Sequence, residues 1–286
     1  MHKVKIVLST AAIPFVFILC LFLNAYGDNS GKLYVVGMGP AGPDLTATRA
    51  LSIVRKADVI LCSPGMPKKF KMFGTYIDPG KVAFNPWEGI IGEKASRLKK
   101  TDYDAWAAGA EKQRKKVQEF VRSKIEKGKT VVMMDGGDPC VYGPSIHYLL
   151  KGFDESLFEV VAGLGAFNAA GAALKQSFTS NDVRFVLLTS PQSMFGKNGE
   201  KGDDILKDLS KYETTMIWYM SLRSIDKVVA QLQKYYPPDL PIAIVYYAGY
   251  PDKEKVLKSR LASIVNDVKK LDEQWLGLFV AGKCAE

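Results

Sequence analysis

The segment Val-Val-Met-Met-Asp-Gly-Gly-Asp-Pro-Cys-Val-Tyr-Gly, residues 131–143, does most to narrow what this chain can fold into. Residues 131–134 are apolar without alternation. That is the pattern of a strand covered on both faces, as in the sheet of an α/β protein. The run stops at Gly136 and Gly137. Lacking Cβ atoms, these positions allow positive φ and let a ligand touch the main chain, while Pro139 fixes the exit and removes a donor. Open α/β sheets bind ligands at such strand ends. Taken alone, Gly-Gly-Asp-Pro also fits an ordinary strand-to-helix turn. A second glycine loop tips the balance towards a binding site.

That second loop follows the first strand. Residues 33–36 read as a strand, and Gly-Met-Gly-Pro-Ala-Gly, residues 37–42, comes directly after it. Ala47, Ala50, Leu51, Val54 and Ala57 then recur at helical spacing, and residues 59–62 form a second strand. Gly37, Gly39 and Gly42 spell the dinucleotide-binding G-x-G-x-x-G. The dinucleotide reading requires a carboxylate at the end of the second strand, where this chain has Cys62-Ser63-Pro64, and it wants free backbone donors where Pro40 sits. An NAD-dependent oxidoreductase is therefore a subordinate alternative.

Residues 64–87 are rich in glycine and proline and carry Lys68, Lys69 and Lys71, which suit substrate carboxylates or, more simply, a solvated loop. Residues 103–127 read as a charged helix ending at Gly128. After Gly143 a helix is expected at 146–150, a strand from Phe158 that ends in a turn at Gly165, and a small-residue helix at 166–174. Further strands are expected at 185–189, 215–220, 242–247 and 276–281, with helices at 225–236 and 259–271. The alternation predicts an α/β fold of two domains, residues 31–137 and 138–286.

The 286 residues carry a net charge of +9 with 47% apolar residues, a globular composition whose basic balance favours acidic partners. No RNA-binding signature or compact basic block points to nucleic acid. Lys3 and Lys5 precede the apolar run 6–23, and small residues Ala25 and Gly27 lie before Asp28. This is the three-part pattern of a signal segment, residues 1–27, and an uncleaved anchor is its rival. Either predicts an exported protein, periplasmic or anchored in the inner membrane facing outward, with a cytoplasmic location as the alternative. The four cysteines have no C-x-x-C spacing and the two histidines are His2 and His147, so neither a disulfide framework nor a metal site is expected. Cys140, in the glycine loop, is the one candidate thiol.

Four segments in order resemble the tetrapyrrole methylase family, the S-adenosylmethionine-dependent enzymes of corrin and sirohaem synthesis. They are Val-Val-Gly-Met-Gly-Pro (35–40) with Leu-Thr-Ala-Thr-Arg-Ala (45–50), Gly-Asp-Pro-Cys-Val-Tyr-Gly (137–143), Phe-Glu-Val-Val-Ala-Gly (158–163), and Trp-Tyr-Met (218–220) followed by Pro-Ile-Ala-Ile-Val (241–245). The resemblance spans residues 32–283, and residues 159–174 and 185–190 look most like the precorrin-4 methyltransferase branch. It implies two α/β domains with S-adenosylmethionine in the cleft between them, a homodimer, and an acidic tetrapyrrole as substrate. Donor contacts implied by the same likeness fall on Pro40, Gly136, Gly137, Asp138, Val141, Gly165, Ala166, Met220 and Ala248, with Ala243 as a neighbour. Met220 and Ala243 fit equally well as core residues of strands.

Departures from the family pattern are local. The family's G-x-G-P-G-D-P is here Gly-Met-Gly-Pro-Ala-Gly-Pro-Asp, residues 37–44, and Ser63 stands where uroporphyrinogen methylases carry an aspartate. Family members that modify diphthamide precursors or ribosomal RNA act in the cytosol, which the leader argues against. The sequence thus predicts a methyltransferase, with an exported binding protein of the same fold as the rival.

Overall fold

A computed structural model describes residues 31–63, 72–196, 202–271 and 276–286. The leader 1–27 and the lysines Lys68, Lys69 and Lys71 lie outside the described residues.

The amino-terminal part is built from β1 (Leu33–Gly37), α1 (Thr48–Lys56), β2 (Val59–Leu61), β3 (Val82–Phe84), α2 (Glu93–Thr101), α3 (Tyr103–Ile125), β4 (Val131–Asp135) and β5 (Phe158–Val161). Its five strands are all parallel, in the order β3-β2-β4-β1-β5. β4 is central, which is why it is apolar throughout. Its odd residues Val131 and Met133 pack with Val117, Val121 and Ile125 of α3, and its even residues Val132 and Met134 pack on the face that holds Ala50, Leu51 and Val54 of α1. The Asp102 carboxylate starts α3 by accepting from the Ala105 amide at 2.9 Å, and Gly128 (φ +71°) turns the chain back into the sheet.

The carboxyl-terminal part contains α4 (Ala166–Leu174), β6 (Phe185–Thr189), α5 (Pro191–Phe195), α6 (Gly202–Leu209), β7 (Thr214–Trp218), α7 (Ile225–Leu232), β8 (Pro241–Tyr246), β9 (Lys255–Arg260), α8 (Ile264–Lys269) and β10 (Gly277–Ala281). Here the order is β6-β7-β10-β8-β9, with only β6 and β7 parallel. One face buries Val228, Val229 and Leu232 of α7 with Ile264 and Val268 of α8. The other receives α4, whose Ala169, Ala170 and Leu174 meet Ile217, Ala243, Val245 and Val280. Small side chains let this helix lie close to the sheet.

Several expectations are corrected. β5 pairs with β1, so the chain passes from the first sheet to the second between Val161 and Phe185 rather than at residues 137 and 138. The helix expected at 259–271 is shorter: Ser259 and Arg260 end β9, which is held by pairing with β8, and α8 begins at Ile264. The helix expected at 146–150 is a single π turn, Ser145–Leu149. β7 ends at Trp218, so Met220 lies beyond it with φ +52° and is 55% exposed; it is not a core residue. None of the described helices is long and apolar enough to cross a membrane.

Candidate active site

The loops after β1, β4 and β5 converge at the carboxyl ends of their strands, and glycine allows the approach. A Cβ on Gly37 would stand 2.7 Å from the Gly163 nitrogen, and one on Gly163 would stand 2.4 Å from the Gly137 carbonyl oxygen. Gly39 and Gly137 exchange backbone hydrogen bonds, the Gly137 amide donating at 2.8 Å and the Gly39 amide at 3.1 Å. Both have φ near +74°, a region L side chains rarely adopt. Gly136 has no positive φ, so only the second glycine of that pair meets the expectation.

The first loop departs from a dinucleotide cradle. A 3₁₀ turn, Pro43–Leu45, follows Gly42, and α1 begins only at Thr48. The buried Thr46 hydroxyl donates to the Met38 carbonyl at 2.7 Å and fixes this detour. No helix terminus follows directly on the glycines to receive a pyrophosphate, which removes the geometry of the NAD alternative.

Above the converged loops lies a cavity of about 410 Å³. Pro40, Gly136, Gly137, Asp138, Val141, Tyr142, Gly165 and Ala166 line it from the first sheet's side. Leu188, Thr189, Ser190, Ser193, Tyr219 and Met220 line it from the ends of β6 and β7 and from α5. The structure therefore brings eight of the ten sequence-derived donor candidates into one cavity. The other two lie apart from it. Ala243 is 0% exposed within β8 against α4, and Ala248 packs in the same cluster.

Asp138 is the only charged group among the described residues lining the cavity. Its Oδ1 accepts from the Cys140 amide at 2.9 Å and from the Gly163 amide at 3.3 Å, tying the β4 loop to the β5 loop. The Cys140 thiol is pushed up by partial burial and then by the Asp138 charge, which disfavours the thiolate. The Tyr219 hydroxyl is buried with no hydrogen-bond partner of good geometry among the described residues. Burial raises its pKa, the nearby Phe167 backbone works against this, and Asp138 adds to it. Tyr219 therefore lines the cavity while its hydroxyl is enclosed beside the Phe167 backbone.

The sequence missed Tyr142, Leu188, Thr189, Ser190, Ser193 and Tyr219. Ser190 and Ser193 carry the signal of a helix start: Ser190 accepts from the Ser193 amide at 3.1 Å and Pro191 follows it. That signal hid their place on the wall. Tyr219 could have been found between Trp218 and Met220, inside a motif already singled out.

Two α/β layers around a cleft floored by bare backbone define a small-molecule enzyme fold whose site is suited to an uncharged or cationic ligand rather than a phosphate. The model of the Tetrapyrrole (Corrin/Porphyrin) Methylases matches residues 32–265. The chain belongs to this family, and it is an S-adenosylmethionine-dependent methyltransferase. It is 28% identical over 262 residues to the cobalt-precorrin-4 C(11)-methyltransferase of Methanocaldococcus jannaschii, covering 90% of this chain and 89% of that one. It is 24% identical to the precorrin-4 C(11)-methyltransferase of Pseudomonas aeruginosa, covering 88% and 89%. Among solved structures, a cobalt precorrin-4 methyltransferase superposes with a TM-score of 0.69 at 23% identity over 91% of this chain and 98% of that one. The uroporphyrin-III C-methyltransferase of Thermus thermophilus, complexed with S-adenosylhomocysteine, gives 0.61 at 19% identity over 89% and 98%.

Proposed function

We propose that the chain methylates a ring carbon of a precorrin-4-type corrin precursor, with the donor held in the cavity above the β1, β4 and β5 loops. The observation that carries this is the cavity floor: Gly136, Gly137, Gly165 and Ala166 offer backbone with almost no side chain, at the size needed for a folded adenosyl and methionine moiety. The donor supplies an electrophilic methyl group on a sulfonium when bound. The residues of this chain do the rest. The Gly137 and Gly165 loops orient the ligand through main-chain groups, and Val141, Leu188, Met220 and Tyr219 shed water from it. Catalysis of this kind is largely positioning, since an electron-rich pyrrole carbon attacks in line without a strong base. Ser63, shortly after β2, fits a reaction that needs no carboxylate base there, and the one carboxylate lining the cavity, Asp138, is engaged in tying the β4 loop to the β5 loop.

The reading extends to a homodimer and to export. Both rest on sequence, the first on the family likeness and the second on the three-part leader, and the cytoplasmic alternative stays in play. Fractionation with mass spectrometry of the amino terminus decides the location: a chain starting at Asp28 supports cleavage, and a full-length cytosolic protein overturns export.

The direct test incubates purified protein with methyl-labelled S-adenosylmethionine and a panel of reduced tetrapyrroles. Label on precorrin-4 in preference to uroporphyrinogen supports the proposal; donor binding without transfer to any tetrapyrrole favours the exported binding protein instead. Gly137→Arg should abolish S-adenosylhomocysteine binding. Its Cβ has open space within 4 Å, and the long side chain would fill the cavity that Gly137 lines. Unchanged binding in this variant overturns the site.

A further inference from the structure

We infer that the buried pair Asp135–Ser145 is a latch that closes the ends of the donor loop 136–144, making both positioning residues for donor binding. The inference rests on the proposed donor site. Asp135 is the last residue of β4, and Ser145 opens the π turn that follows the loop. Ser145 is 0% exposed and Asp135 is 5% exposed. The Ser145 hydroxyl donates to Asp135 Oδ1 at 2.6 Å, a short bond of the kind made to a carboxylate.

The rest of the loop has its own fixings, and none of them joins its two ends. The Gly39–Gly137 exchange holds the start, and Asp138 holds the middle through its bonds from Cys140 and Gly163. The Asp135 carbonyl is used separately, accepting from the Met38 amide at 2.9 Å. The Asp135 carboxylate joins the residue before the loop to the residue after it, chiefly through the Ser145 hydroxyl, with the Ser145 backbone amide adding to the hold. Between those two points lie Gly136, Gly137, Asp138, Val141 and Tyr142, the loop's whole contribution to the cavity.

A carboxylate is a costly group for this task. Asp135 Oδ2 is buried with no hydrogen-bond partner among the described residues. Burying a polar group without a partner disfavours folding, and an apolar residue would serve the sheet better. A cost of this kind at the end of a core strand next to a ligand loop fits a group kept for positioning rather than for stability.

Three variants and two measurements test the latch in the full chain. Calorimetry with S-adenosylhomocysteine should show Ser145→Ala and Asp135→Ala weakening binding about tenfold, with the double variant no weaker than either. Asp135→Asn keeps an acceptor for Ser145 and should bind within about twofold of the parent. Hydrogen exchange in the ligand-free protein should show residues 136–144 exchanging faster in Ser145→Ala while β1 and β5 are unchanged. If the parent chain binds no S-adenosylhomocysteine, the donor site falls, and the exchange pattern alone decides whether the latch exists. Parent-like affinity and exchange in Ser145→Ala, or an equal loss of affinity in Asp135→Asn and Asp135→Ala, would overturn it.

Discussion

Asp135 carries a pH dependence as well as a hydrogen bond. Burial pushes its carboxyl up from the usual 3.8 to about 6, with hydrogen bonding from Ser145 pulling the other way. The folded state thus holds a proton that the unfolded chain has already released. Its contribution is fully favourable below about pH 4 and is lost as pH rises through 6, at a cost of about 3 kcal/mol above that. Asp135→Asn removes the titration, so it should be more stable than the parent at pH 8, and the gap should narrow towards pH 4. Chemical denaturation at the two pH values measures it, and an equal gap at both would show that Asp135 does not titrate in this window.

At the scale of elements, the site is made where β1, β4 and β5 end together, and the glycines there are not equivalent. A Cβ at Gly163 would press on the Gly137 oxygen and the Gly37 backbone, whereas one at Gly136 meets nothing within 4 Å. Gly163→Ala should therefore destabilise the fold by about 2 kcal/mol and lower donor affinity, while Gly136→Ala should leave stability nearly unchanged. Thermal melting with and without S-adenosylhomocysteine checks both. The same contrast explains what could be read in advance. β1, β4 and α4 were legible because their composition is local: continuous apolar runs, or small residues at helical spacing. β3 and β9 were not, because three residues beside β2 and a lysine-bearing edge strand beside β8 are specified by their neighbours rather than by their own pattern. The cavity floor was legible through glycine, a residue with few other reasons to cluster. Its wall of Thr189, Ser190 and Ser193 was not, since serine and threonine carry the same signal at a helix cap as at a ligand, whereas Tyr219 lay within reach in the Trp-Tyr-Met motif.

For the whole molecule, charge separates donor from substrate. The chain carries +9, of which Lys3 and Lys5 belong to the leader, yet the described cavity lining offers a polycarboxylate no cation and one carboxylate, Asp138. The acidic side chains of a tetrapyrrole therefore need positive charge from beyond that lining. Lys68, Lys69 and Lys71, in the stretch after β2, are the sequence's candidates. Exposed ion pairs contribute ~0–1 kcal/mol each and weaken as salt shortens the Debye length. Replacing all three lysines with alanine should raise the apparent substrate constant several-fold at 20 mM salt and much less at 500 mM, with S-adenosylhomocysteine affinity unchanged at both, on the order of these screening effects. Initial rates against tetrapyrrole concentration at the two salt levels, beside calorimetry of the donor, give the comparison. A substrate constant that ignores both the lysines and the salt would place recognition of the carboxylates elsewhere on the basic surface. A matching loss of donor affinity would mean that these lysines serve the cavity itself.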